Sequence, residues 1–295
     1  MIMGKESADL ALARADIFGP DYFWRRLGLG LGLGNLELLV SAPFGRTYVR
    51  PFSGDAIHLS CRHEPEILGK FNSAFEGGIF VDIGAYLGGY SLHMLSKAKR
   101  IIALEPFAPI YRRLARNVSL NDSNRKVLCL PYAVDDHNGE AKFSIPIGTS
   151  EHYKRARLDQ SQYDYFGSVP RRTAHTIVSV RRLKTLVSQL EINRIELVKF
   201  DIEGTERRVL EDSVDLFPMI DKLLIEIHHA MNAEPIKRLL EQHGYETSWV
   251  IHRPETGSFY IFAKRYREQN ALGPEVDRPD RTLPGHESSL ASQDQ

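Results

Sequence analysis

The run Ile79-Phe80-Val81 passes straight into Asp82-Ile83-Gly84-Ala85-Tyr86-Leu87-Gly88-Gly89, and no other stretch constrains the fold of this chain as tightly. A short apolar run bounded by Gly78 and Gly84 reads as a strand buried on both faces, the kind that parallel sheets use. Glycine at 84 lets the chain turn sharply and bring bare backbone amides against a ligand. Parallel strands need long crossovers, and the downstream pattern supplies them. It predicts a helix over about Gly88 to Lys97 and a strand over Arg100–Leu104 (RIIAL). Pro106 and Pro109 then open a helix whose apolar face is Ile110, Leu114 and Val118. Val127–Leu130 (VLCL) is the third core strand, ending near Tyr132-Ala133, and Leu197–Phe200 (LVKF) and Lys222–Ile227 (KLLIEI) are the fourth and fifth.

Between these strands, helical spacing falls at Leu183, Leu186, Val187 and Leu190, over Glu206–Leu216, and from Pro235 to a stop at Gly244. Tyr245–Ile251 and Phe259–Ala263 close the sheet as an antiparallel pair turning through Pro254–Gly257. The fold class is therefore α/β and Rossmann-like: a mostly parallel, doubly wound sheet with an antiparallel C-terminal strand pair. Ligands in such sheets bind outside the carboxyl ends of the strands, near the switch in strand order.

The flanks read differently. Residues 1–70 form an N-terminal extension, with a short helix at Ser7–Ala15 and a strand pair over Arg46–Leu59 that turns at Gly54-Asp55. Leu27–Leu33 (LGLGLGL) is a flexible or surface-docking element, with an oligomer contact as the alternative. The core domain spans residues 71–264. Gly139-Glu140 opens an insertion with a strand over Ala141–Ile147. Residues 149–175 lack periodicity and mix Tyr153, Tyr163, Tyr165 and Phe166 with Lys154, Arg155, Arg157, Arg171 and Arg172. They read as a flexible lid over an acceptor, or else as a solvated insertion. The tail, 265–295, is polar and reads as disordered.

Composition excludes several functions. Lys+Arg and Asp+Glu are equal at 38 each, which argues against nucleic acid as the main partner. Cys61 and Cys129 are far apart and lack metal-ligand spacing, so no disulfide framework is expected and a reducing, cytoplasmic compartment is. Charged residues interrupt the first sixteen positions, unlike a signal peptide, and LGLGLGL is too short to span a bilayer.

Glu105 ends the second strand, 23 residues after Asp82, where a carboxylate can accept both hydroxyls of a ribose. A dinucleotide would want a second glycine where Tyr86 stands, and Asp82 would repel its pyrophosphate. S-adenosylmethionine has no phosphate and carries an ammonium and a sulfonium, so the charge sign favours it. The alternative is a plain glycine turn with a solvated Asp82.

Residues from about 46 to 250 resemble the FkbM family of methyltransferases. The resemblance is carried by Tyr48-Val49-Arg50 through Asp55, VDIGAYLGGYS (81–91), Leu104-Glu105-Pro106, LARNVSLN (114–121), VKFDIEGTE (198–206) and Ile225-Glu226-Ile227-His228. It implies a class I methyltransferase fold, S-adenosylmethionine as donor and an oxygen acceptor. The donor pocket it implies is Asp82, Gly84, Ala85, Tyr86, Gly88, Ser91, Glu105, Pro106, Ala133 and Asp201. Tyr86 departs from the family, which more often has Asn there.

Asp201, Glu203 and Glu206 put three carboxylates into six residues at a strand end, costly unless they bind something. If the strand continues, Asp201 and Glu203 share a side. The resemblance puts Asp201 near the transferable methyl and Glu203 in the same motif. Asp201 and His228 are the candidate bases, making Asp201, Glu203 and His228 the catalytic set. Glu206 reads equally as a carboxylate at a helix N-terminus, and His228 and His229 as hydrogen-bonded strand-end residues. Asp201 and Glu203 offer no obvious third ligand, so no metal is expected. The acceptor is a hydroxyl on a small molecule, sugar or glycan. A nucleic-acid methyltransferase would show a basic face and an Asn/Asp-Pro-Pro-aromatic motif, neither of which occurs. A non-catalytic module that keeps the donor pocket as a binding surface is the second rival.

Overall fold

Strands that are apolar on both faces must be covered on both faces, and this requirement organises the molecule. The computed structural model describes residues 2–3, 37–50, 55–59, 64–146, 157–158, 173–253 and 258–266. The readings for Ser7–Ala15, Leu27–Leu33, Pro254–Gly257, the tail beyond 266 and nearly all of 149–172 lie outside these residues.

The central sheet has seven strands. They are β1 (Ile79–Ile83), β2 (Arg100–Leu104), β3 (Val127–Leu130), β4 (Ile195–Phe200), β5 (Ile220–Ile227), β6 (Tyr245–Arg253) and β7 (Ser258–Arg265). Their spatial order is β3-β2-β1-β4-β5-β7-β6. Only β7 is reversed. It pairs antiparallel with β5 and with β6, so β6 regains the common direction. The expected antiparallel C-terminal pair is there, on an otherwise parallel sheet.

Six helices cover the sheet: α1 (Pro65–Ala74), α2 (Gly89–Met94), α3 (Ala108–Ser119), α4 (Leu183–Gln189), α5 (Glu206–Asp212) and α6 (Ala233–Gln242). The period of two along each strand sorts the core into layers. Phe80, Ile101, Leu197, Leu224 and Phe262 pack with Ile67 and Phe71 of α1 and Met94 of α2. Val81, Ile102, Val198, Ile225 and Ile261 face the other way, onto Leu183 and Leu186 of α4, Val209 of α5, and Ile236 and Leu240 of α6. No described helix is long and apolar enough to cross a membrane.

Two expectations needed correction. Arg46–Leu59 is not a strand pair: Gly45–Val49 pairs back onto Leu38–Ala42, and Asp55–His58 is one helical turn. The insertion also holds a strand that the aperiodic reading did not reach. Thr173–Arg181 pairs antiparallel with Gly139–Pro146, in a second sheet of four short strands. Its apolar face, Phe143, Leu158, Val178 and Val180, packs against Phe107 just beyond β2.

Candidate active site

The chain runs outward from β1 to β2 and β3, then returns to place β4 beside β1. The carboxyl ends of β1 and β4 therefore flank the switch in strand order, where such sheets open a crevice. Gly84 leaves β1 at φ +80, and a Cβ there would stand 1.9 Å from the carbonyl oxygen of Asp201. The amide of Asp201 donates to Ile83 at 3.1 Å. Glycine is thus required because the two strand ends touch. Four of the amides expected to be bare in this loop are taken, however. Gly84 and Ala85 donate to the Leu104 carbonyl, and Gly88 donates to Ala85.

A fourth amide, that of Tyr86, donates to Oε2 of Glu105 at 3.2 Å, and Phe107 donates to Oε1 at 2.9 Å. Glu105 is thereby clamped at the end of β2. Burial pushes its carboxyl up to about 8. Tyr86 sits at φ 50, and its hydroxyl donates to Oδ1 of Asp55 while accepting from Arg50. Arg50 forks onto the fully buried Asp55 at 2.8 and 2.6 Å. The departure from the family at Tyr86 thus has a local partner: an ion pair delivered by the N-terminal segment.

On the α1/α2 face, a polar row crosses the sheet near the strand ends. Asp82 of β1 lies in register with Lys199 of β4, and Glu226 of β5 with Tyr260 of β7. Lys199 Nζ donates to Asp201 at 3.0 Å, lies 3.9 Å from Asp82, and sits over the Tyr90 ring at 4.9 Å. Burial works against its charge, but Asp201 and Asp82 outweigh it and raise its pKa. Asp82 is 0% exposed, accepts from Ser91 at 2.7 Å, and has its carboxyl pushed up by burial. Tyr90 and Tyr260 both donate to Glu64, which precedes α1. Burial, and then Asp201, push the Glu226 carboxyl up to about 8.

Beyond β4 the strand does not continue. Glu203 (φ 57) and Gly204 (φ 113) fold a left-handed turn, so Asp201 and Glu203 reach the same cavity through a loop rather than by alternation. Gly204 is needed because a Cβ would stand 2.4 Å from Nε2 of His229. Glu206 opens α5 and is fully buried; its Oε1 takes the Gly204 amide at 2.9 Å and His228 Nδ1 at 2.8 Å. His228 follows β5 directly. Its Nε2 faces Asp201 at 3.6 Å, Glu203 at 3.7 Å and Glu226 at 3.7 Å. Burial pulls its pKa down, but Glu203, Glu226 and Glu206 prevail and hold it well above the usual histidine value.

These groups surround a cavity of about 260 Å³. Of the donor residues expected from sequence, Gly84, Tyr86, Glu105, Pro106, Ala133 and Asp201 line it, as do Glu203 and His228. Asp82, Ala85, Gly88 and Ser91 do not. Asp82 acts from behind the wall, as the partner of Lys199 and Ser91, and is not solvated. The cavity also takes in His58, Glu64, Tyr132, Phe143, Leu158, Thr205 and Glu226, most of which sequence reasoning missed. Lys199, a charge inside an apolar run, was the one visible signal; Glu64 gave none.

Comparison with known proteins yields a match to the methyltransferase FkbM domain over residues 82–247, more than half of the chain. The chain is 27% identical over 203 residues to the AMB antimetabolite synthetase AmbE of Pseudomonas aeruginosa, in a match covering 58% of this chain but 10% of that protein. It is 26% identical to the methyltransferase sdnD of Sordaria araneosa, over 56% of this chain and 73% of the relative. It is 24% identical to the hexuronic acid methyltransferase AglP of Haloferax volcanii, over 57% of this chain and 64% of the relative. The chain thus spans a small part of the synthetase and less than two thirds of AglP.

Proposed function

The chain belongs to the FkbM methyltransferase family, and from that premise we propose that it is an O-methyltransferase using S-adenosylmethionine to methylate a hydroxyl of a sugar, glycan or secondary metabolite. The observation that carries this reading is the meeting of β1 and β4 at Gly84 and Asp201, with Glu105 and Asp201 lining one cavity. The residues present fit the donor. Glu105 stands where a ribose diol needs an acceptor, and Pro106, Ala133, Val134, Phe143 and Leu158 give an apolar wall for an adenine. Carboxylates on the remaining wall suit a cationic centre and repel phosphate.

When bound, S-adenosylmethionine supplies an electrophilic methyl carbon: the acceptor oxygen bonds to it, and the C–S electron pair returns to sulfur as a neutral thioether. The protein's part is alignment, worth several kcal/mol in well-oriented reactions, and removal of one proton. Asp201 takes that proton, and His228, held by Glu206, keeps the neighbouring carboxylates in place. The similarity to the hexuronic acid methyltransferase of Haloferax volcanii supports a sugar acceptor. A reducing, cytoplasmic setting is supported by Cys129, a free thiol whose pKa burial pushes up to about 11.

Asp201→Asn tests the reading. Calorimetric titration with the donor is expected to give near wild-type affinity. Turnover, followed with radiolabelled donor and cell extract as acceptor source, is expected to fall more than about tenfold. Unchanged turnover removes Asp201 from the chemistry.

A further inference from the structure

We infer that the Thr205 hydroxyl binds a second hydroxyl of the acceptor, which makes the substrate a polyol of the sugar class and not a lone alcohol or phenol. The inference rests on the methyltransferase reading for the identity of the ligand, though not for the position that binds it. Thr205 lines the cavity, is 4% exposed, and its Oγ1 has no partner among the described residues. A hydroxyl so deeply buried normally has one. Thr47 and Ser213 are also without partners among those residues, but neither lines the cavity.

Local structure offers this side chain a partner that it does not take. Thr205 precedes α5, where a threonine oxygen ordinarily accepts an amide of the first turn from an extended backbone. Its backbone stands instead at φ −99 and ψ 5, and its side chain makes no such bond. The reach back at this end is made by Glu206, whose Oε1 takes the Gly204 amide. The Thr205 hydroxyl is thus left to the cavity.

The fold puts it on the acceptor's side. Along the sheet, the ends of β2, β1 and β4 carry Glu105, Gly84 and Asp201, which span the proposed donor seat, with Asp201 at its methyl end. Thr205 comes after Asp201, in a turn that packs Gly204 onto His229 just past the end of β5. It therefore stands beyond the methyl, where the attacking molecule must lie for in-line transfer. A hydroxyl suits this corner because it can accept from Thr205 while donating to the carboxylates of the same wall, Glu203 among them; an ether or carbonyl can only accept.

The full chain is assayed with radiolabelled S-adenosylmethionine and with cell extract at graded dilution as the acceptor source. Thr205→Val is expected to raise the extract needed for half-maximal transfer about tenfold. Its donor affinity by calorimetry should be unchanged, and its urea midpoint unchanged or higher. Thr205→Ser keeps the hydroxyl and is expected to stay within about threefold of wild type. Peracetylation and mass spectrometry of the labelled product should reveal at least one free hydroxyl. Half-saturation unchanged in Thr205→Val, equal losses in both variants, or a product with no free hydroxyl overturns the assignment. A lower urea midpoint with unchanged half-saturation would mark Thr205 as a helix cap and overturn it too. Donor binding without any transfer by wild type sinks the methyl-transfer reading instead. Saturation-transfer NMR with the methyl glycosides of glucose, mannose and galactose then decides the position: contact that Thr205→Val abolishes upholds it, and no contact sinks it.

Discussion

Gly84 and Gly244 form a matched pair for testing how β1 and β4 meet. Both hold left-handed backbone, at φ +80 and +83. A Cβ at 244 would find nothing within 4 Å, whereas at 84 it would stand 1.9 Å from the Asp201 carbonyl. Gly244→Ala therefore adds only backbone strain, about 1–2 kcal/mol. Gly84→Ala adds the same strain and must also push a strand end aside by about an ångström, because the obstacle is main chain. Overpacking of that kind costs about 1–3 kcal/mol more. In urea, with a slope of about 3 kcal/mol/M, the extra loss shows as a midpoint lower by about 0.3–1 M. Displacing Asp201 also spoils the donor cavity, so calorimetry should find donor binding lost in the Gly84 variant and kept in the Gly244 variant. Equal destabilisation of the two, with donor binding retained in both, would refute the claimed contact.

Two further expectations concern buried charge. Burial holds Glu105 near 8, against an ordinary 4.5. The folded state thus keeps a proton that the unfolded chain releases, and this contribution is full below 4.5 and fades as pH rises to about 8. Urea unfolding across that window should show wild type losing up to about 1.4 kcal/mol per pH unit relative to Glu105→Gln; parallel profiles would contradict the assignment. Lys199→Met strips the cation from between Asp82 and Asp201 and should cost about 3–5 kcal/mol at neutral pH. The deficit should shrink as pH falls and Asp82 takes up a proton, and a deficit independent of pH would mean that lost packing is its cause.

The parts of the molecule legible in its sequence are those fixed by local pattern. Runs such as Ile79–Ile83 and Leu197–Phe200 announce strands covered on both faces, and the first carboxylate after β2 announces Glu105. What escaped depends on chain segments far apart. Asp55 reads as a turn residue beside Gly54, yet Arg50 and Tyr86 claim it. Glu206 and His228 are 22 residues apart and meet only because β4 and β5 are neighbours. Thr173–Arg181 was hidden because it pairs with Gly139–Pro146 across the unpatterned insertion, and its register is set by tertiary contacts.

Glu64 lies ahead of the matched residues 82–247, yet it accepts from Tyr90 and Tyr260 and lines the same cavity as Glu226. A chain cut back to residue 82 would lose that carboxylate together with the Arg50–Asp55 pair behind Tyr86, and with them part of the wall of its own crevice.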